Sequence, residues 1–283
     1  MTASTLRVRT RRVSNWVFLA FCCAVTLIAL GFLAAIMWSL VSQGLGGLDL
    51  AVFTKSTPAP GSPGGLANAI VGSIMLCALA MAIAMIVGVL AGTWLAEYAG
   101  SSRYGSVIRF LNDVLLSAPS ILVGLFVYEL LVRPLGGFSG FAGSVALALL
   151  AAPVIVRTTE DVLKLQPTSL RESGVALGAP LWGVIRQILW RSAGSGILTG
   201  ALLAFARISG ETAPLLFTAL NNQFFSLDMR KPMASLPTVI FQFALAPYDD
   251  WRRLAWAGAL IIAASVLVVS IVARALSREQ TRS

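Results

Sequence analysis

The chain has 283 residues, of which 57% are hydrophobic and 12% charged. A soluble domain carries about twice that charged share, so most of this chain is expected in lipid. The net charge of +9 comes from 21 Lys and Arg against 12 Asp and Glu, but the arginines cluster at the ends of apolar runs, which reads as membrane orientation and not as a nucleic-acid surface.

In chain order, Arg7, Arg9, Arg11 and Arg12 precede an uncharged run from Val13 to Leu48. A signal peptide has an apolar region of only about 7–15 residues, whereas about 20 span a bilayer. The run therefore predicts a retained first span over 16–41, with a cytoplasmic N-terminus. Residues 42–65, rich in Gly, Ser and Pro, read as a flexible external linker. A second span is predicted over 66–96, ending at Glu97, with Arg103 and Arg109 on the cytoplasmic side. The third, over 107–131, contains Asn112, Asp113 and Pro119. The fourth, over 141–156, contains Pro153 and ends at Arg157. A polar segment, 157–193, separates it from a fifth span over 194–220 that carries Arg207, Glu211 and Pro214. Residues 221–253 are expected outside, with a short helix over 236–245 capped by Ser235. The sixth span, over 254–272, ends at Arg274, Arg278 and Arg282.

The expected architecture is an all-α membrane protein of six transmembrane helices with both termini inside, as the positive-inside rule requires. Residues 1–65 form the N-terminus, first helix and linker, 66–275 the core, and 276–283 a tail. Within the polar segment, Ser169 and Glu172 have the spacing of a capping box, and Gly178 with Pro180 supplies a stop. A second short helix over 181–191 follows from Trp182, Ile185, Ile188 and Leu189 at helical spacing. The segment reads as a two-helix knob outside the membrane.

Histidine is absent, which removes Ser-His-Asp and Cys-His catalysis and imidazole metal sites. Cys22, Cys23 and Cys77 lie in apolar runs without ligand spacing and read as packing residues, so no metal site is expected. The sharpest chemistry is Arg207 and Glu211, which at i and i+4 would share one helical face. Counting from Gly194, Arg207 stands about 20 Å up the span. A charge there costs about 2.5–3.5 kcal/mol on insertion scales. The pair is either a self-neutralising structural contact or part of a polar path, in which Arg207 would present donors to an oxyanion. Arg157 is a topology anchor or an anion contact below Arg207. Asp113 is a pairing residue near the inner interface or a member of the same path. The chain has no Gly-x4-Gly-Lys-Ser/Thr phosphate loop, so a pump built from it needs energy from another chain or an ion gradient.

The run Glu172-Ser-Gly-Val-Ala-Leu-Gly178 resembles the Glu-Ala-Ala-x3-Gly coupling motif of bacterial ABC-importer permeases. Ser173 and Gly174 stand in place of the two alanines, and Trp190 and Arg191 in place of a later Leu-Pro. The stretches Phe110-Leu-Asn-Asp-Val-Leu-Leu, Val156-Arg-Thr-Thr-Glu-Asp, Ala206-Arg-Ile-Ser-Gly-Glu-Thr-Ala-Pro-Leu-Leu-Phe and Lys231-Pro-Met-Ala-Ser-Leu-Pro are similar to the A-type permease subunit of the phosphate importer, the PstA family. The resemblance implies a type I importer permease fold in the bacterial inner membrane. It also implies a heterodimer with a C-type permease, two ATP-binding subunits and an extracytoplasmic phosphate-binding protein. ATP and Mg would then sit on the ATPase, with no cofactor on this chain. Substrate passage would involve Arg207, Arg157, Glu211 and Asp113, and ATPase coupling Glu172, Ser173, Gly174, Leu177 and Gly178. The alternatives are a permease for sulfate, molybdate or tungstate, and an intramembrane enzyme using Glu211 or Asp113.

Overall fold

A computed structural model describes residues 2–280, with side chains over 11–275. The basic residues Arg7, Arg9, Arg278 and Arg282 lie outside the described side chains. Every regular element among the described residues is helical: α1 (Thr2–Gly47), α2 (Leu50–Thr54), α3 (Ala67–Glu97), α4 (Arg103–Ser117), α5 (Ser120–Val127), α6 (Gly140–Lys164), α7 (Thr168–Ala176), α8 (Leu181–Val184), α9 (Trp190–Ser192), α10 (Gly194–Ser209), α11 (Ala213–Thr218), α12 (Leu236–Ala244) and α13 (Asp249–Gln280). Single π-helical turns extend α5 over Tyr128–Val132 and join α8 to α9 over Ile185–Leu189.

Four helices are long and apolar enough to cross a membrane, in α1, α3, α6 and α13, and the count reaches six if each of two bent pairs is one span. The third predicted span is one such pair, bent by 105° between α4 and α5. Pro119 explains the break: it disfavours helical backbone at the residue before it, and Ala118 is extended at φ −65°, ψ 135°. The fifth predicted span is also not continuous. α10 stops at Ser209, α11 starts at Ala213, and α10 meets the preceding Leu181–Ser192 stretch at 71°.

The centre of the bundle is the contact of α3 with α6. Leu76, Ala80, Ala84, Gly88 and Gly92 recur every fourth residue along α3, and all are buried. A Cβ on Gly88 would lie 2.7 Å from Ile155 Cβ, and one on Gly92 2.6 Å from the Val156 carbonyl oxygen. Lipid offers no hydrophobic force between helices, so close approach through small residues supplies the dispersion contact that holds them. By contrast, α1 leaves Trp16, Phe18 and Phe32 exposed. It meets α13 at Gly44 and Gly47, where a Cβ would crowd Leu260 and the Arg253 carbonyl.

The linker is ordered, against the flexible segment expected from its composition. α2 falls within it, and buried Asn68 accepts from Thr57 N–H at 3.0 Å while donating to Thr57 Oγ1 and the Asn222 carbonyl. A buried amide needs such partners, and here they pin the linker to the 221–235 loop. Ser235 does cap α12, in a capping box with Thr238.

Candidate functional site

The last turns of α4 gather three of the four charged residues singled out in the spans. Arg157 of α6 reaches Asp113 at 3.7 Å, and its Nε donates to Asp161 at 3.2 Å. Arg207 of α10 donates from Nη2 to the Leu116 carbonyl at 3.5 Å. That carbonyl belongs to the final helical turn, where C=O groups lack helical partners and carry the negative end of the dipole. Asp113 and Leu116, three residues apart, lie on one face of α4.

Glu211 is not paired with Arg207. Gly210 ends α10 as its C-cap, so Glu211 lies in the break before α11, and no ion pair among the described residues joins the two. The i,i+4 contact expected from the sequence required a helix running through Glu211.

The two arginines differ electrostatically. The side chains of Arg157, Asp113 and Asp161 are 48%, 57% and 54% exposed. Exposed ion pairs contribute about 0–1 kcal/mol, so Arg157 can exchange a carboxylate for another anion at little cost. Arg207 is half-buried, makes one long hydrogen bond and forms no ion pair among the described residues. Most of its five donors remain available.

A separate cavity of about 500 Å³ opens between α3, α10, α12 and α13, with Ser73, Cys77, Phe205 and Ser209 on its wall. Phe205 and Ser209 stand two residues either side of Arg207, about 200° around the helix. The cavity therefore lies on the far face of α10 and has no charged group on its wall. It is a poor place for an oxyanion.

The knob is built as two packed short helices. α7 starts at Thr168 behind Pro167, and neither Ser169 nor Glu172 makes a capping hydrogen bond there. The predicted capping box is thus not formed, because the helix begins one residue before Ser169 and Glu172 points to solvent. The stop is as expected: Gly178 has φ +81°, and Gly178 N and Ala179 N donate to the Val175 and Gly174 carbonyls. Those two bonds make a Schellman cap, whose left-handed residue favours glycine. Gly174 is buried because a Cβ there would lie 2.7 Å from Val184 Cγ2. Glu172 and Ser173 are exposed, and Leu177 is 87% exposed. The knob so presents a carboxylate, a hydroxyl and apolar side chains on its free side.

Three polar contacts at this end were not anticipated. Arg171 of α7 forks onto Glu97, with Nη2 to Oε1 at 2.6 Å and Nε to Oε2 at 2.8 Å. This bidentate contact pushes the Arg171 guanidinium pKa further up. Trp190 Nε1 donates to Thr93 Oγ1 at 3.0 Å. Glu160, 3% exposed, is held by Arg109 Nε at 2.6 Å and by Lys164. The one hint in the sequence was Glu97 itself, an acid at the end of an uncharged run whose neighbouring loop is basic.

Comparison with known proteins identifies the family. Residues 88–282 match the family model of the binding-protein-dependent transport system inner membrane component. The chain is 53% identical to a phosphate transport system permease protein PstA of Xylella fastidiosa over 276 residues, covering 97% of this chain and 96% of the relative. It is 51% identical to the protein of the same name from Haemophilus influenzae over 273 residues, covering 96% and 97%. In fold it resembles a chain of the bacterial alginate ABC transporter solved with a pentasaccharide-bound periplasmic protein, with TM-score 0.69 and 15% identity over 95% of this chain and 96% of that one. The helical bundle is thus that of a multi-pass ABC-importer permease, and the chain belongs to the PstA family.

Proposed function

We propose that this chain is one of two permease subunits of an ATP-driven importer for inorganic phosphate. A related C-type permease completes the translocation path, two ATP-binding subunits dock on the knob, and an extracytoplasmic phosphate-binding protein delivers the substrate. The chain is not itself an enzyme and binds no cofactor; ATP and Mg²⁺ belong to the ATPase subunits. It lies in the bacterial inner membrane with both termini cytoplasmic, a reading supported by its basic loops. The names and full-length identity of its relatives support phosphate as the substrate.

The observation that carries the reading is Arg207, a half-buried guanidinium with no carboxylate partner among the described residues, beside the orphan carbonyls that end α4. It offers a planar fork of donors to a phosphate oxygen. Asp113, which pairs with Arg157, is about 5 Å along the α4 axis from Leu116, which binds Arg207. Phosphate leaving Arg207 therefore meets Arg157 next, with Asp113 and Asp161 competing for that arginine and helping release. Glu211, in the break above, repels a fully ionised anion and favours passage of one at a time. On the cytoplasmic side, Glu172, Ser173, Gly174, Leu177 and Gly178 form the coupling helix and its stop, seated in the ATPase.

Arg207→Gln removes the charge and keeps a polar side chain. It is expected to abolish phosphate uptake while the permease pair and ATPase still co-purify. Normal uptake by that variant would remove Arg207 from the path.

A further inference from the structure

The knob is covalently joined to α6 through Leu165–Pro167 and to α10 through Ala193. It has no chain connection to α3, yet two of its side chains bond to that helix. Glu97 ends α3, and Thr93 lies one turn earlier on the same face. Arg171, 74 residues away, grips Glu97 with both arms of its fork, and the side chains are 22% and 4% exposed. The same guanidinium donates to the Leu163 carbonyl at 2.8 Å and the Gln166 carbonyl at 2.9 Å, at the end of α6. Trp190, 97 residues from Thr93, makes the second contact and stands edge-on to Trp182 at 5.4 Å. Between them Gly174 packs closely on Val184, joining the two short helices.

We propose that Arg171 and Trp190 clamp the inner end of α3 at two points, and that this clamp carries motion of the coupling helix into the bundle. One contact would leave a pivot. Two contacts a turn apart fix both position and tilt of α3. The geometry also says where the motion goes, because Gly92 of α3 lies against the Val156 carbonyl, next to Arg157. A displacement of the clamped turn bears directly on the α6 turn that presents Arg157. Arg171 and Trp190 are positioning residues in this scheme, and Trp190 is one of the places where the sequence departs from the coupling motif. The proposal rests on the docking of α7 to the ATPase.

The test uses the assembled importer in proteoliposomes, reading phosphate taken up per ATP hydrolysed, with a cysteine at Leu177 cross-linked to the ATPase as an independent readout of docking. Arg171→Lys keeps the charge and loses the fork; uptake per ATP is expected to fall about tenfold with cross-linking unchanged. Glu97→Gln leaves Arg171 its bonds to the Leu163 and Gln166 carbonyls, removes only the charge on the α3 side of the fork and is expected to lower the ratio in the same direction, again with cross-linking unchanged. Trp190→Phe keeps the ring, loses the N–H and is expected to lower the ratio about threefold. A normal ratio in both Arg171→Lys and Trp190→Phe, with cross-linking intact, would overturn the clamp. Loss of the cross-link in the unmodified background would instead overturn docking itself.

Discussion

Gly174 is set by the short helix packed against it. Where the coupling motif has alanine, this chain has glycine, and the structure gives the reason in Val184, whose Cγ2 would be 2.7 Å from an added Cβ. Overpacking of that kind costs about 1–3 kcal/mol. Gly174→Ala alone should therefore lower the thermal stability of the purified complex, and Gly174→Ala with Val184→Ala should recover most of the loss. A single variant as stable as the parent would show that Val184 yields freely. At this scale the sequence was an uneven guide. Gly178 and Ser235 were legible because a glycine stop and a serine cap act on their own backbone. The Ser169–Glu172 box was a false signal, since two residues with correct spacing still need the helix to start at the first of them. Of the Glu97–Arg171 fork only Glu97 was marked, as an acid ending an uncharged run, because nothing local points to a partner 74 residues away.

At the scale of elements, the small-residue stripe decides how closely two spans approach. The Gly92 site tests this on α6, with the Val156 carbonyl 2.6 Å and Thr159 Cβ 2.7 Å from an added Cβ. Backbone cannot move aside as a side chain tip can. Gly92→Leu is expected to push α3 off α6, destabilise the complex by about 2–3 kcal/mol and depress uptake even where the protein still assembles. Unchanged melting and uptake would contradict the packing described. Helix existence was legible from apolar runs, and helix continuity was not. Pro119 and Pro214 were visible inside the third and fifth predicted spans. Whether each bends or stops a helix depends on what receives the freed backbone: Gly124 approaches Pro214 so closely that an added Cβ would be 2.7 Å from its Cα, locking α5 to α11 beyond both breaks. The same break carries Glu211 away from Arg207.

For the whole molecule, the arrangement of basic loops predicts a direction across the membrane. Ser62 stands in the ordered linker and Ser173 on the knob, at opposite ends of the proposed topology. In intact cells a membrane-impermeant thiol reagent should label Ser62→Cys and leave Ser173→Cys unlabelled until the membrane is opened. The reverse pattern would invert the topology and detach the knob from any cytoplasmic ATPase. The sequence conveyed the membrane class, the six apolar segments and the identity of the charged residues, while the ordered linker and the knob's grip on α3 arise from contacts between distant segments.

The most direct measurement is ATP-dependent uptake by proteoliposomes containing this chain with its C-type permease, ATPase and binding protein, supplied with radiolabelled phosphate or sulfate. Phosphate should accumulate only with ATP inside, sulfate should not, and Arg207→Gln should reduce phosphate uptake to background. Equal uptake of sulfate, or phosphate uptake that survives Arg207→Gln in an assembled complex, would contradict the account.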